Sequence, residues 1–289
     1  VTPKKLYKYR AFDSTSLRLL CESESWYSNF SNFNDPLDGM IELINDVDTR
    51  QLEQLHDHFH NGNGAGLRNN YRWTQTEDGE FEESHSDYIR RIVNDIRLNL
   101  ARSFDTRGIL TLSERWDSPL MWSHYADKHT GFCIEYDATD HRCQYIQKVQ
   151  YGLQHGAKIS DLYAWKIEKK ESGLKSTIDA IFFSKAKDWA YESEWRDISR
   201  QRGTHFAPFM VSGVIFGLRC PSQVRTAIML SFEGTGGKSP DFYEAYFRQS
   251  TFEIDRRSID PTEEAYVRPS PSMIFGKQED PKLPFDVMD

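Results

Sequence analysis

Three runs within residues 108–137 decide the fold class: Gly108-Ile109-Leu110-Thr111-Leu112-Ser113, Leu120 through His129, and Gly131-Phe132-Cys133-Ile134-Glu135-Tyr136-Asp137. The first and third are short apolar runs opened by glycine, which predicts buried strands. The middle run spaces Trp122 from Tyr125 by three residues and His124 from Lys128 by four, which predicts a helix. On the N-terminal side, Leu6-Tyr7-Lys8-Tyr9-Arg10 alternates as a strand, with Tyr7 and Tyr9 on one face and Lys8 and Arg10 on the other. Asp13 or Ser14 caps a helix through Leu17, Leu19 and Leu20, and Trp26-Tyr27-Ser28 forms a strand entering the turn-rich loop 29–36. Further on, Ile89, Ile92, Val93, Ile96 and Leu100 mark an amphipathic helix from Ser86. A short strand is expected at Lys148–Tyr151, a helical stretch from Ile159 to about Phe183, and a core strand at Phe209–Gly217. A helix at Gln223–Leu230 and mainly strand at Tyr243–Ile254 complete the pattern. Strands and helices interleave without a regular β-α-β rhythm. The expectation is one mixed α+β domain with a split, largely antiparallel sheet flanked by helices. Its core would span 1–230 with a variable polar insert near 46–86, and 231–289 would be a C-terminal strand and Pro-rich tail.

Composition narrows the function classes. Of 289 residues, 36 are Lys or Arg and 44 Asp or Glu, and the net charge of -8 disfavours bulk nucleic-acid binding. Apolar residues are 38%, of which aromatics supply 13%, so large rings substitute for a thin aliphatic content. No apolar run has membrane-spanning length and the first residues lack a signal-peptide stretch. The four cysteines form no C-x-x-C, so free thiols in a cytoplasmic protein are expected.

Several constellations carry candidate chemistry. Lys8 and Arg10 could grip a diphosphate or form a solvated strand face. The loop Ser28 to Asp38 sets Ser28, Asn29, Asn32, Asn34, Asp35 and Asp38 among Phe30, Phe33 and Pro36, as a ligand cleft or a rigid turn. Trp122 and Tyr125 could stack on a flat ring or belong to the core, with His124 beside them. In Trp189-Ala190-Tyr191-Glu192-Ser193-Glu194-Trp195-Arg196, the two carboxylates share a face in a strand or tight turn. The flanking aromatics would raise a carboxylate pKa, and the alternative is a salt bridge to Arg196. His56 and His60 have metal-ligand spacing but no third ligand in sequence, so a solvated helix end, and no metal, is expected. There is no P-loop, nucleophile elbow or dinucleotide fingerprint.

Taken together, Leu6–Arg10, Trp26-Tyr27-Ser28, Phe33-Asn34-Asp35-Pro36, Asp38, Leu112-Ser113-Glu114, Met121–Ala126, His129, Gly131–Tyr136, Lys187, Trp189, Tyr191-Glu192 and Glu194-Trp195-Arg196 resemble a bacterial family recorded as domain of unknown function 2971. A more distant resemblance, by order of elements, is to ADP-ribosyltransferase toxins and their DNA-modifying relatives. That resemblance implies NAD as substrate, Lys8 and Arg10 at the nicotinamide ribose, Tyr27 or Tyr125 against the nicotinamide, Ser28 as a structural hydroxyl, and Glu194 with Glu192 as the catalytic carboxylates. Asn34, Asp35, Trp122 and His124 would complete the cofactor-binding set. The implied activity is that of a toxin or phage-defence effector modifying a nucleic acid or protein, with an antitoxin or defence-system partner and no membrane. Two other classes compete: a metal-dependent nuclease using Asp35, Asp38, Glu114 and Glu135, and a non-enzymatic nucleotide-sensing module.

Overall fold

The computed structural model describes residues 2–71, 85–139, 145–153, 155–232 and 239–262. It is a mixed α+β fold with a large, mostly antiparallel sheet, as the sequence predicts. The chain divides into two compact units: Val1–Lys8, Glu22–Trp116 and Asp137–Met210 form one, and Tyr9–Cys21, Asp117–Tyr136 and Val211–Asp289 the other.

In the first unit, β1 (Lys5–Arg10, through Lys8), β4 (Gly108–Ser113), β10 (Glu194–Ser199) and β6 (Gln147–Lys148) are neighbours in that order. Their pairing is antiparallel, with Tyr7 opposite Ser113, and Glu194 through Ser199 opposite Ser113 through Gly108. Three short two-stranded pairs are added: β2 (Glu24–Tyr27) with β11 (Gly203–Phe206), β3 (Leu43–Ile44) with β8 (Ala157–Lys158), and β7 (Gln150–Tyr151) with β9 (Ser184–Lys185). The helical core is built on α4 (His85–Phe104), whose Ile92, Ile96 and Leu100 are fully buried at the predicted helical spacing. Against them lie Leu52 and Leu55 of α2 (Thr49–Phe59), Ile159 and Leu162 of α6 (Ile159–Lys166), and Ile181 and Phe182 of α7 (Glu171–Phe182).

Residues 46–86, expected as a polar insert, thus supply core side chains through α2, which a reciprocal Asp48–Gln51 capping box starts. The short α3 (Gly64–Tyr71) follows it, and residues 72–84 lie outside the described residues. The single helical stretch expected over 159–183 is two helices. Lys169 adopts φ +61 between them, and Gly173 lets α7 sit on α6, since a Cβ there would stand 2.4 Å from the Asp161 carbonyl.

In the second unit the order is β14 (Ile254–Ile259), β13 (Asp241–Phe247), β12 (Met210–Phe216), β5 (Phe132–Asp137) and the end of β1. One expected strand at 243–254 is therefore an antiparallel hairpin, Phe242 opposite Ile259 and Phe247 opposite Ile254. Helix α1 (Ser14–Cys21) starts at Asp13, whose carboxylate accepts from Ser16 N at 2.7 Å. Helix α5 (Pro119–Tyr125) is shorter than the predicted 120–129. Asp127, Lys128 and His129 all have positive φ, which returns the His129 ring onto Trp122 and leads Gly131 to within 2.1 Å, at an ideal Cβ, of the Arg10 carbonyl. Helix α8 (Ser222–Ser231) lies between β12 and β13 in the chain, and the Pro-rich tail from 263 lies outside the described residues.

No helix among the described residues is long and apolar enough to cross a membrane. Cys21, Cys133 and Cys220 are free, and Cys143 lies outside the described residues.

Candidate functional site

Five charged side chains meet in the first unit. Asp38 comes from the end of the 28–38 loop, Lys185 from β9, Glu192 from the end of a 3-10 turn (Lys187–Glu192), and Glu194 and Arg196 from β10. Local structure explains the convergence. Ser193 takes a left-handed conformation (φ 44) that folds the chain back between the two glutamates. The turn is pinned to the end of β4, because Ser113 Oγ donates to Glu192 O at 2.6 Å and Glu114 N to Ser193 O at 3.0 Å. The β7–β9 pair sets Tyr151 opposite Lys185, and the Tyr151 hydroxyl accepts from Glu194 N at 2.8 Å.

Lys185 Nζ stands among three carboxylates: Glu192 Oε2 at 2.6 Å, Glu194 Oε2 at 3.1 Å and Asp38 Oδ2 at 3.2 Å. Its three N–H groups are matched in number by three anionic acceptors. Arg196, fully buried, donates through Nε to Glu194 Oε1 (2.7 Å), through Nη2 to Glu194 Oε2 (3.0 Å) and Asp38 Oδ2 (2.6 Å), and through Nη1 to Phe182 O (2.8 Å). Phe30 and Phe33 rings lie near its guanidinium at 5.6 and 5.4 Å from their centroids, and Trp189 lies 5.0 Å from Lys185 Nζ. Gly39, with φ +71, keeps this loop tight: a Cβ would fall 2.0 Å from the Phe30 ring.

The electrostatics follow from this geometry. Burial alone would raise the Glu194 carboxyl, but Arg196 and then Lys185 overcome it and hold it below the ordinary carboxylate range. The expected upward shift from flanking aromatics is thus reversed. Burial alone would lower the Lys185 ammonium, and Glu194, Glu192 and Asp38 instead hold it above the usual lysine range. Arg196 is likewise raised by Glu194 and Asp38 against its own desolvation. Asp38 Oδ1, on a carboxylate fully shielded from solvent, has no hydrogen-bond partner.

Of the residues singled out in sequence, only Glu192, Glu194 and Asp38 enter this cluster, together with Arg196 in its salt-bridge role. Lys8 Nζ is held by Thr111, at 2.6 Å from its carbonyl and 2.7 Å from its hydroxyl. The buried Tyr27 donates its hydroxyl to Asp197 at 2.5 Å. Ser28 bridges Ile109 through its backbone, Asp35 accepts from Leu37 N at 2.9 Å within its own turn, and Asn34 is exposed. In the second unit, burial lowers the Arg10 pKa against the opposing pull of Tyr136 and Asp13. Trp122 there is a fully buried core residue, edge-on to Tyr9 with 5.2 Å between centroids. His124 is exposed, Tyr125 half-buried, and their rings lie 6.3 Å apart.

The carboxylates of the nuclease reading go to separate partners: Asp38 to Arg196, Glu114 to Lys148 and Glu135 to Arg256. They form no metal-sized group among the described residues. Sequence reasoning missed Lys185, and the one available hint was that two buried glutamates require more than one cation.

Residues 121–196 match the family model described as "Protein of unknown function (DUF2971)". The DUF2971 match therefore takes in four of the five cluster residues, with Asp38 reached through the fold. No curated protein and no solved structure matches the chain.

Proposed function

We propose that the first unit binds the nicotinamide-riboside end of NAD at the Asp38–Glu192–Glu194 cluster and cleaves its glycosidic bond. The observation that carries this is the buried, unpartnered Asp38 Oδ1 beside a Glu194 carboxylate held ionised. A ligand that suits it has hydroxyl donors and a positive charge, and oxidised nicotinamide riboside has both. Asp38 Oδ1 accepts from a ribose hydroxyl. Glu194, held ionised by Arg196 and Lys185, stabilises positive charge growing on the ribose as the bond breaks. The C1′–N bond breaks with its electron pair leaving on neutral nicotinamide. An oxygen or nitrogen nucleophile of a nucleic acid, protein or water then bonds to C1′ and loses its proton to solvent. Glu192 and Glu194 are nearly buried, so binding requires the side chains that cover them to be displaced. An antitoxin or defence-system partner belongs to the same proposal.

Incubation with NAD and cell extract, reading free nicotinamide and labelled acceptor, tests the activity. Glu194→Gln is expected to abolish release while Asp35→Asn, whose carboxylate caps its own turn, retains it. Thermal melts of each variant separate lost chemistry from lost folding. Nicotinamide release unchanged in a folded Glu194→Gln protein overturns the assignment.

A further inference from the structure

His56 lies on α2 and His60 caps its C-terminal end, one turn later. Helix α4 brings Asp95 against both: Asp95 Oδ2 is 2.9 Å from His56 Nε2 and 2.7 Å from His60 Nε2. His56 is fully buried, contrary to the solvated helix end expected from sequence, while the His60 and Asp95 side chains are 19% and 25% exposed. The third ligand missing from the sequence pattern is thus supplied by a residue 39 positions away from His56. The two nitrogens and one carboxylate oxygen lie within 4.8 Å of one another.

Arg68 beside them pairs with Asp57 at 2.7 Å and lies near Glu53 at 3.9 Å. We propose that His56, His60 and Asp95 form a binding site for a divalent first-row transition ion of the zinc type. Two imidazoles and a carboxylate match the ligand preference of zinc or cobalt, whereas magnesium and calcium favour all-oxygen shells. Tetrahedral ligation at about 2.0–2.1 Å per bond opens each N–O separation to about 3.3 Å, so the part-exposed Asp95 carboxylate withdraws by about half an ångström. The exposed side leaves the fourth position to water. In the metal-free state Arg68 Nη1, 3.3 Å from His56 Nδ1, favours a proton on Nε2 that donates to Asp95. Metal binding at Nε2 moves the ring's single proton to Nδ1, and Arg68, which has no acceptor for it, keeps its pair with Asp57.

Cobalt(II) titration of the full chain reads the site directly. The expected result is a visible d–d absorption of tetrahedral intensity saturating at about one equivalent, displaced by zinc. Asp95→Asn and His60→Asn should each weaken binding at least about tenfold, while His58→Asn, an exposed neighbour, should leave it unchanged. An absent tetrahedral band in the wild-type protein, or wild-type binding in folded Asp95→Asn and His60→Asn variants, overturns the proposal. The wild-type spectrum decides the question even if one variant fails to fold.

Discussion

Two charged clusters of the first unit are built on opposite plans. At Asp38, Lys185, Glu192, Glu194 and Arg196 the chain supplies its own cations, and Lys185 Nζ occupies the centre of three carboxylates where an ion could otherwise sit. At His56, His60 and Asp95 two imidazole nitrogens and a carboxylate oxygen converge within 4.8 Å of one another. The first arrangement is almost wholly buried, so its charges depend on one another. The second is part-exposed at His60 and Asp95, the side from which the proposed ion would enter. Aspartate is the one residue type common to both, fully shielded at Asp38 and 25% exposed at Asp95.

The severest break of this contrast is Arg196→Met. It strands Glu194 and Asp38 in the interior, and urea unfolding should show a loss of about 3–5 kcal/mol. Arg196→Lys should recover only part, because the two-nitrogen contact with Glu194 is lost. Gly39→Ala comes next, at about 2 kcal/mol, because the new Cβ must displace Phe30 and adopt positive φ. His60→Asn in metal-free buffer should cost under about 1 kcal/mol, as its part-exposed contact with Asp95 is replaceable by water.

The pH dependence separates the clusters further. Burial lowers the His56 pKa, so the folded state resists protonation and its stability contribution is present above about pH 6.5, falling as pH drops below it. His129 behaves alike, burial again lowering its pKa. Glu194 is depressed below its unfolded value, so its contribution is present above about pH 4.3 and is lost only as pH falls through the lower folded value. Unfolding curves of His56→Asn should flatten the upper limb and those of Glu194→Gln the acid limb. Flattening of the same limb by both would remove the distinction.

How far each region could be read from sequence differs for physical reasons. Ile92, Ile96 and Leu100 were legible because a helix repeats its buried face locally. The alternation of Tyr7 and Tyr9 against Lys8 and Arg10 was legible for the same reason in β1. The Glu192–Glu194 turn was visible as a motif, but the direction of the Glu194 shift was not, since Lys185 leaves no spacing signal and Arg196 could equally have faced solvent. Asp95 was hidden because its partnership with His56 depends on how α2 and α4 pack. The helix break at Lys169 and the end of α5 were missed because non-glycine residues there take left-handed conformations.

The central functional claim is that the ionised Glu194 and the unpartnered Asp38 oxygen select a cationic ribosyl group. Thermal unfolding of the wild-type protein with oxidised and reduced nicotinamide dinucleotide, at equal concentrations, tests it most directly. The two ligands share both ribose groups and the diphosphate, and differ in the charge and saturation of the nicotinamide ring. Oxidised NAD is expected to raise the melting temperature and the reduced form to raise it much less. Equal shifts, or none with the oxidised form at millimolar concentration, would contradict the claim.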